Sequence, residues 1–228
     1  MLILAVDTSG FEGSIAVLDD RRILEERALI AEGGRHAQTL VLQVDRVLKS
    51  LGLAGRDIDA VAVSVGPGSF TGLRVGVVFA KTFAWANAAN LVAVDTLRAA
   101  AQQTVDGTEH VAVISDAQRS EVFVNEYTWD VASKTFQAVG DVRIEAIDTV
   151  VRQTVARGLH VTGPGLLKFA NQFPDPALLS DSALWNPRAA SVAQVGRLLL
   201  TDNKLADPNT LEPLYIRRSY AEEKAAKS

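Results

Sequence analysis

The chain is most constrained by one stretch, Ser64-Val65-Gly66-Pro67-Gly68-Ser69-Phe70-Thr71-Gly72-Leu73-Arg74-Val75-Gly76, which joins an apolar strand-like run to a helical one through a turn of two glycines around a proline. The proline ring fixes φ, while glycine takes the positive φ values that a sharp turn requires. Ser69 stands at the N-cap position, and the N–H groups that open the following helix are placed to meet an anion or a partner. An ordinary tight strand-to-helix turn accounts for Gly66-Pro67-Gly68 alone. The glycine content of the longer stretch exceeds what a turn alone demands.

Around this turn the hydrophobic pattern is that of an α/β chain. Residues 2–6 are a continuous apolar run ending in Asp7, and 13–18 resume it after a polar, glycine-containing turn, which reads as a hairpin; 23–28 supply a third strand. From Arg35 the period changes to helical, with Ala37, Leu40, Val41, Val44, Val47, Leu48 and Leu51 at spacings of three and four and Gly52 as terminator. Residues 61–65 have almost no polar interruption, as expected where both sheet faces are covered.

The helix predicted over 70–88 is apolar nearly all round, since Leu73, Val75, Val77, Val78, Phe79, Phe83, Ala84 and Trp85 point in every direction of a 3.6-residue wheel. Such a helix needs burial on more than one side. Its own sheet and neighbouring helices supply that burial in one reading, and a second chain in the other. Gly72 and Gly76, one turn apart, would let another helix approach closely.

After a strand at 91–94 and a helix over 96–103, an earlier pattern returns. Val111-Ala112-Val113-Ile114, Ser115-Asp116, a polar turn and Val122–Tyr127 echo the N-terminal strand, Asp7, turn and strand. The echo indicates a duplicated architecture, with a chance likeness as the alternative. Strands at 133–139 and 160–162, helices at 147–156 and 192–200, and a proline-containing loop over 173–187 complete the second half.

These motifs resemble the TsaB family, also called YeaZ. Gly66 to Gly76 after an apolar strand, with Leu4-Ala5-Val6-Asp7-Thr8-Ser9 about sixty residues earlier, carries the resemblance. Asp116-Ala117-Gln118-Arg119-Ser120-Glu121-Val122-Phe123 and Glu212-Pro213-Leu214-Tyr215-Ile216-Arg217 extend it over nearly the whole chain. The resemblance implies an α/β, two-lobed, duplicated actin, sugar-kinase and Hsp70-like (ASKHA) fold with mixed sheets and flanking helices. An N-terminal lobe at 1–100 would carry the dimerisation helices, and a reduced C-terminal lobe would occupy 101–228.

Composition limits the chemistry. The 228 residues contain no cysteine, which excludes disulfides, thiolate zinc sites and a cysteine nucleophile and agrees with a reducing cytoplasm. The opening residues lack a basic segment and reach an acid at Asp7, so they read as a strand rather than an export signal, and the longest apolar run, 75–89, is too short for a membrane span. A net charge of -4 argues against a chain that holds tRNA by itself.

Asp7 and Asp116 form the acidic pair that a phosphotransferase of this fold would use on a metal–phosphate group; alternatively each simply orders its turn. Asp7, Thr8 and Ser9 resemble the superfamily's first phosphate loop, but Phe11 and Glu12 follow where small residues belong, and Glu12 would repel a triphosphate. With Arg119 in the second turn, these residues leave weak ATP or ADP binding open, with no cofactor required. His36 has Leu40 rather than histidine four residues on, so the helical His pair by which the related enzyme TsaD binds metal is missing, while His110 and His160 are expected to cap loops before strands. None of Ser9, Ser14, Ser64 and Ser69 lies in a Gly-x-Ser-x-Gly elbow.

The resemblance therefore implies a non-catalytic subunit that dimerises with TsaD, is joined by TsaE, touches tRNA only through the complex and pairs with itself in isolation. The matching helices place Leu40, Val44, Phe70, Leu73, Val77 and Trp85 as buried partner contacts, with Arg74 and Lys81 reaching partner carboxylates at the rim. An autonomous nucleotide-dependent ATPase or kinase-like enzyme using Asp7 and Asp116 is the alternative.

Overall fold

A computed structural model describes residues 1–29, 36–104 and 108–216; Arg35, the side chains of residues 36–38 (His36 and Ala37 among them) and Arg217 lie outside the described residues. The first half runs β1 (Leu2–Asp7), β2 (Gly13–Asp19), β3 (Arg22–Leu29), α1 (His36–Ser50), β4 (Ala60–Gly66), α2 (Phe70–Asn87), β5 (Asn90–Asp95) and α3 (Thr96–Ala101). The second runs β6 (His110–Asp116), β7 (Glu121–Asp130), β8 (Thr135–Ala138), β9 (Arg143–Ala146), α4 (Ile147–Arg157), β10 (His160–Thr162), α5 (Leu166–Phe169) and α6 (Ala189–Thr201).

Each half builds one mixed sheet, ordered β3-β2-β1-β4-β5 and β10-β6-β7-β8, with β9 beside β7. The echo in the sequence is a true repeat of plan. β7 runs antiparallel to β6 as β2 does to β1, and β10 lies parallel to β6 as β4 does to β1. The fold is the two-lobed ASKHA architecture, with helices against both sheets.

Alternation along the strands sorts the first lobe into layers. Leu4, Val6, Ile15, Val17, Val61 and Val63 face one side and pack under Leu40, Val44 and Val47 of α1 and Val77, Ala80 and Ala84 of α2. Ile3, Ala5, Ala16, Ala60, Ala62, Val92 and Val94 face the other and pack against Val192, Ala193 and Val195 of α6. Small alanines on that side let α6 come close, and Gly196 sits directly over Ala62.

This placement corrects the expected lobe boundary. The sheets divide near residue 100, but α6 and the segment beyond it return to the first lobe, because without α6 one apolar face of the first sheet would be bare. Ala206 N–H donates to Leu91 O (2.8 Å) and Leu214 N–H to Val65 O (2.7 Å). We call residues 205–216 the strap.

The lobes join through α3. Asp95 caps it, accepting from the N–H groups of Leu97 (2.7 Å) and Arg98 (3.0 Å), and Tyr127 of the second sheet donates its hydroxyl to the same carboxylate oxygen (3.3 Å). Burial pushes both the Asp95 carboxyl and the Tyr127 hydroxyl above their ordinary ranges. Arg98 continues the junction by donating to Phe136 O (2.8 Å).

His110 and His160 are the first residues of β6 and β10 rather than loop caps. The His110 ring approaches Glu126 (3.0 Å), which also receives a bidentate pair of hydrogen bonds from Arg157 (2.7 and 2.8 Å). The expected loop over 173–187 contains two short 3-10 turns, capped by Asp175 and Asp181. No helix among the described residues is long and apolar enough to cross a membrane.

The hydrogen bonds from Arg157 hold the Glu126 carboxyl below its ordinary range. A carboxylate with a depressed folded pKa adds stability that is full above its unfolded pKa of about 4.3 and is lost as pH falls through the folded value. Arg157→Ala should therefore cost about 1 kcal/mol at pH 7. In urea unfolding the gap to wild type should close below about pH 4; a gap independent of pH would contradict the pairing.

Candidate functional site

The glycine-rich turn is built to receive the loop after β1. Gly72 lies directly against the carbonyl of Thr8 and Gly76 against its hydroxyl, so a Cβ at either position would collide. Thr8 donates its hydroxyl to Gly72 O (2.7 Å), and Ser69 N–H donates to Ser9 O (2.7 Å). The two glycines expected to admit a partner helix instead admit the chain's own first loop. Ser69 caps α2 as expected, accepting from Gly72 N–H (3.2 Å).

Asp7 sits beneath this junction, fully buried, and its carboxylate accepts from the hydroxyls of Ser9 (2.8 Å) and Ser64. Of the loop expected to bind nucleotide, Asp7 and Ser9 are bonded to each other and Thr8 to α2, and Ser9 also lines the interlobe cleft.

Asp116 ends β6 on the opposite wall of an interlobe cleft of about 720 Å³. It accepts from Gln118 N–H (2.9 Å) and pairs with Lys168 of α5 (2.9 Å). Gln118, Arg119 and Ser120 then take three successive positive φ values, a tight turn whose Ser120 carbonyl accepts from Ile147 N–H (3.0 Å). Ser9, Ser69, Asp116 and Lys168 supply the polar lining of the cleft, and the exposed side chains of Phe11, Phe70, Leu167, Leu214 and Tyr215 make its mouth largely apolar. Among the described residues, no three His, Asp or Glu side chains gather as a metal-ligand set.

The second feature is the outer surface of α1 and α2. Leu40, Val44, Leu73 and Val77, expected as partner contacts, lie in this lobe's own core; Leu73 is 2% and Val77 3% exposed. Their side chains point at the sheet, as the packing of α1 and α2 on β1, β2 and β4 requires. Among the described residues, the large apolar side chains that face solvent on these helices are Val41 (63%), Leu42 (47%), Val78 (63%) and Trp85 (83%), with Phe70 at the start of α2. Phe70 and Trp85 alone of the expected apolar set stay on the surface.

Arg74 and Lys81 are already bonded within the chain. Arg74 Nε donates to the Tyr215 hydroxyl (2.9 Å), and Lys81 Nζ donates to Leu211 O (3.1 Å). Lys168 and the strap residues Leu214 and Tyr215 also line the cleft. Leu214 and Tyr215 fall within the motif that starts at Glu212, whereas no sequence signal marks Lys168.

A family model described as "TsaD: tRNA N6-adenosine threonylcarbamoyltransferase" matches residues 31–224. The tRNA threonylcarbamoyladenosine biosynthesis protein TsaB of Bacillus subtilis (strain 168) is 29% identical over 98% of this chain and 97% of its own. Its namesake in Escherichia coli (strain K12) is 27% identical over 97% and 96%. The solved structure of YeaZ from Pseudomonas aeruginosa superposes with a TM-score of 0.81 at 26% identity, covering 94% of this chain and 99% of that one. A tRNA N6-adenosine threonylcarbamoyltransferase of Streptococcus pneumoniae (strain Hungary19A-6) is 29% identical over 71% of this chain but only 52% of its own length.

Two substitutions test the assigned packing by thermal melting. Gly72→Ala, which drives a methyl into the Thr8 carbonyl, should cost about 2 kcal/mol or more. Val77→Asp, an unpaired charge in the core, should prevent folding. A folded, stable Val77→Asp protein would show that this helix face is not the buried one.

Proposed function

The chain belongs to the TsaB (YeaZ) family, and from that premise we propose that it is a non-catalytic subunit required for threonylcarbamoyl transfer to the adenosine beside the anticodon of tRNAs that read codons starting with A. It acts in the cytoplasm by pairing with the catalytic subunit TsaD. TsaE joins the pair as a third component, tRNA meets this chain only through the assembly, and the isolated chain pairs with itself through the same face.

The observation that carries the reading is the row of solvent-facing apolar side chains on α1 and α2, Val41, Leu42, Val78 and Trp85. A tryptophan left 83% exposed on α2, about two turns beyond the exposed Val78 on the same side of the helix, is costly in water and suits a surface that is covered in the working state. The partial match to threonylcarbamoyltransferases supports TsaD as the cover, because a partner with a related lobe would present a similar helix pair and pack almost symmetrically against this one. The net charge of -4 favours a scaffold over a tRNA-gripping role.

The cleft suits the same reading. Its first-loop residues are bonded to one another, its second acid is paired with Lys168, and its mouth is apolar. The chain needs no cofactor of its own, and any ATP or ADP held there is weakly bound. Pairing raises the population of the competent lobe arrangement in TsaD.

Val78→Asp and Trp85→Asp test the reading. Each lies on the surface, so each variant should melt within about 0.5 kcal/mol of wild type. Each should bind TsaD at least about tenfold more weakly, as expected for a central interface anchor. Folded variants that still co-purify one-to-one with TsaD would overturn the assigned face. ATP turnover by the purified chain that disappears in Asp7→Asn would instead support an autonomous kinase-like enzyme.

A further inference from the structure

The strap is fitted into the first lobe at a place the sheet leaves open. The β4–β5 register passes from Ser64↔Val94 to Gly66↔Asp95, so Val65 has no ladder partner in β5, and its carbonyl accepts from Leu214 N–H. Gly66, at φ +123°, brings its backbone so close to Leu214 that a Cβ would stand 3.2 Å from the Leu214 carbonyl. The two motifs at 66–76 and 212–217, separated by most of the chain, therefore meet.

Their meeting fixes one side chain on the exposed side of α2. The Tyr215 ring packs on Phe70 with centroids 5.0 Å apart, and the Arg74 guanidinium lies 3.8 Å above the Phe70 ring while its Nε donates to the Tyr215 hydroxyl. Among the described residues, neither terminal nitrogen of Arg74 meets a carboxylate. Arg74 stands one turn before Val78, on the same side of α2 as Trp85. Lys81, the other cation on that side, is turned toward the strap by its bond to Leu211 O.

We propose that the strap is a third element of the docking face and that Tyr215 is a positioning residue, holding Arg74 so that its terminal nitrogens receive an Asp or Glu carboxylate at the rim of the partner's apolar surface. The inference rests on the pairing with TsaD proposed above. A guanidinium already held by two aromatic rings loses less freedom on binding than a mobile one, and its planar fork matches a carboxylate. Charge complementarity at the rim adds association rate and orientation to the apolar contact at Val78 and Trp85.

The test is association kinetics with TsaD, for the full chain and its variants, at low and high salt. Arg74→Ala should slow association about threefold or more at low salt and little at high salt, because a rim charge acts through a screened field. Tyr215→Ala, with Arg74 intact, should reproduce much of that loss, Tyr215→Phe should lose less, and Arg74→Ala with Tyr215→Ala should lose no more than Arg74→Ala alone. Melting curves identify any variant whose loss comes from unfolding. Wild-type salt dependence in Arg74→Ala, or losses that add fully in the double variant, would overturn the strap's role while leaving the pairing intact. No complex with the wild-type chain would overturn both.

Discussion

The seating of Thr8 against the bare backbone of α2 is the contact on which the rest depends. Because Gly72 and Gly76 carry no side chain, the loop after β1 drops onto the helix and is fastened by Thr8 to Gly72 and by Ser69 to Ser9. That closure buries Asp7 under two serine hydroxyls and fixes the angle at which α2 leaves the sheet. The exit angle decides which side of an almost uniformly apolar helix meets the core and which meets solvent. The bulge at Val65, filled by the strap, closes the same corner from the other side.

Two consequences oppose each other in functional terms. Asp7 and Ser9 are bonded to each other, Thr8 to Gly72 and Asp116 to Lys168, while the cleft mouth is lined by Phe11, Phe70, Leu167, Leu214 and Tyr215. Meanwhile α2 keeps Val78 and Trp85 in water although the core beneath it is complete. Both features support the proposed role in association over phosphate chemistry. The bonds of Arg74 and Lys81 to the strap place charge at the edge of that apolar row.

Much of this was legible in the residues. Periodicity located the strands and long helices to within a few residues, and the repeat of strand, acid, turn and strand revealed the duplicated plan. The glycines at 72 and 76 correctly signalled a close approach, but the sequence does not say what approaches. The same limit explains the misplaced contacts: Leu73 and Val77 differ from Val78 and Trp85 only in direction around a helix that is apolar on every side, and direction is set by the three-dimensional exit from the turn. The return of α6 to the first sheet is a long-range packing choice with no local mark. The short β9, Arg143-Ile144-Glu145-Ala146, alternates charge with apolar residues too briefly to stand out.

The most direct measurement is reconstitution of threonylcarbamoyl transfer onto unmodified tRNA with purified TsaD, TsaE and the enzyme that supplies the threonylcarbamoyl donor, with and without this chain, alongside light scattering of the mixtures. The account predicts a one-to-one complex with TsaD and modification that depends on adding this chain, with no ATP turnover by the chain alone. Full modification in its absence, or a chain that stays apart from TsaD while hydrolysing ATP, would contradict it.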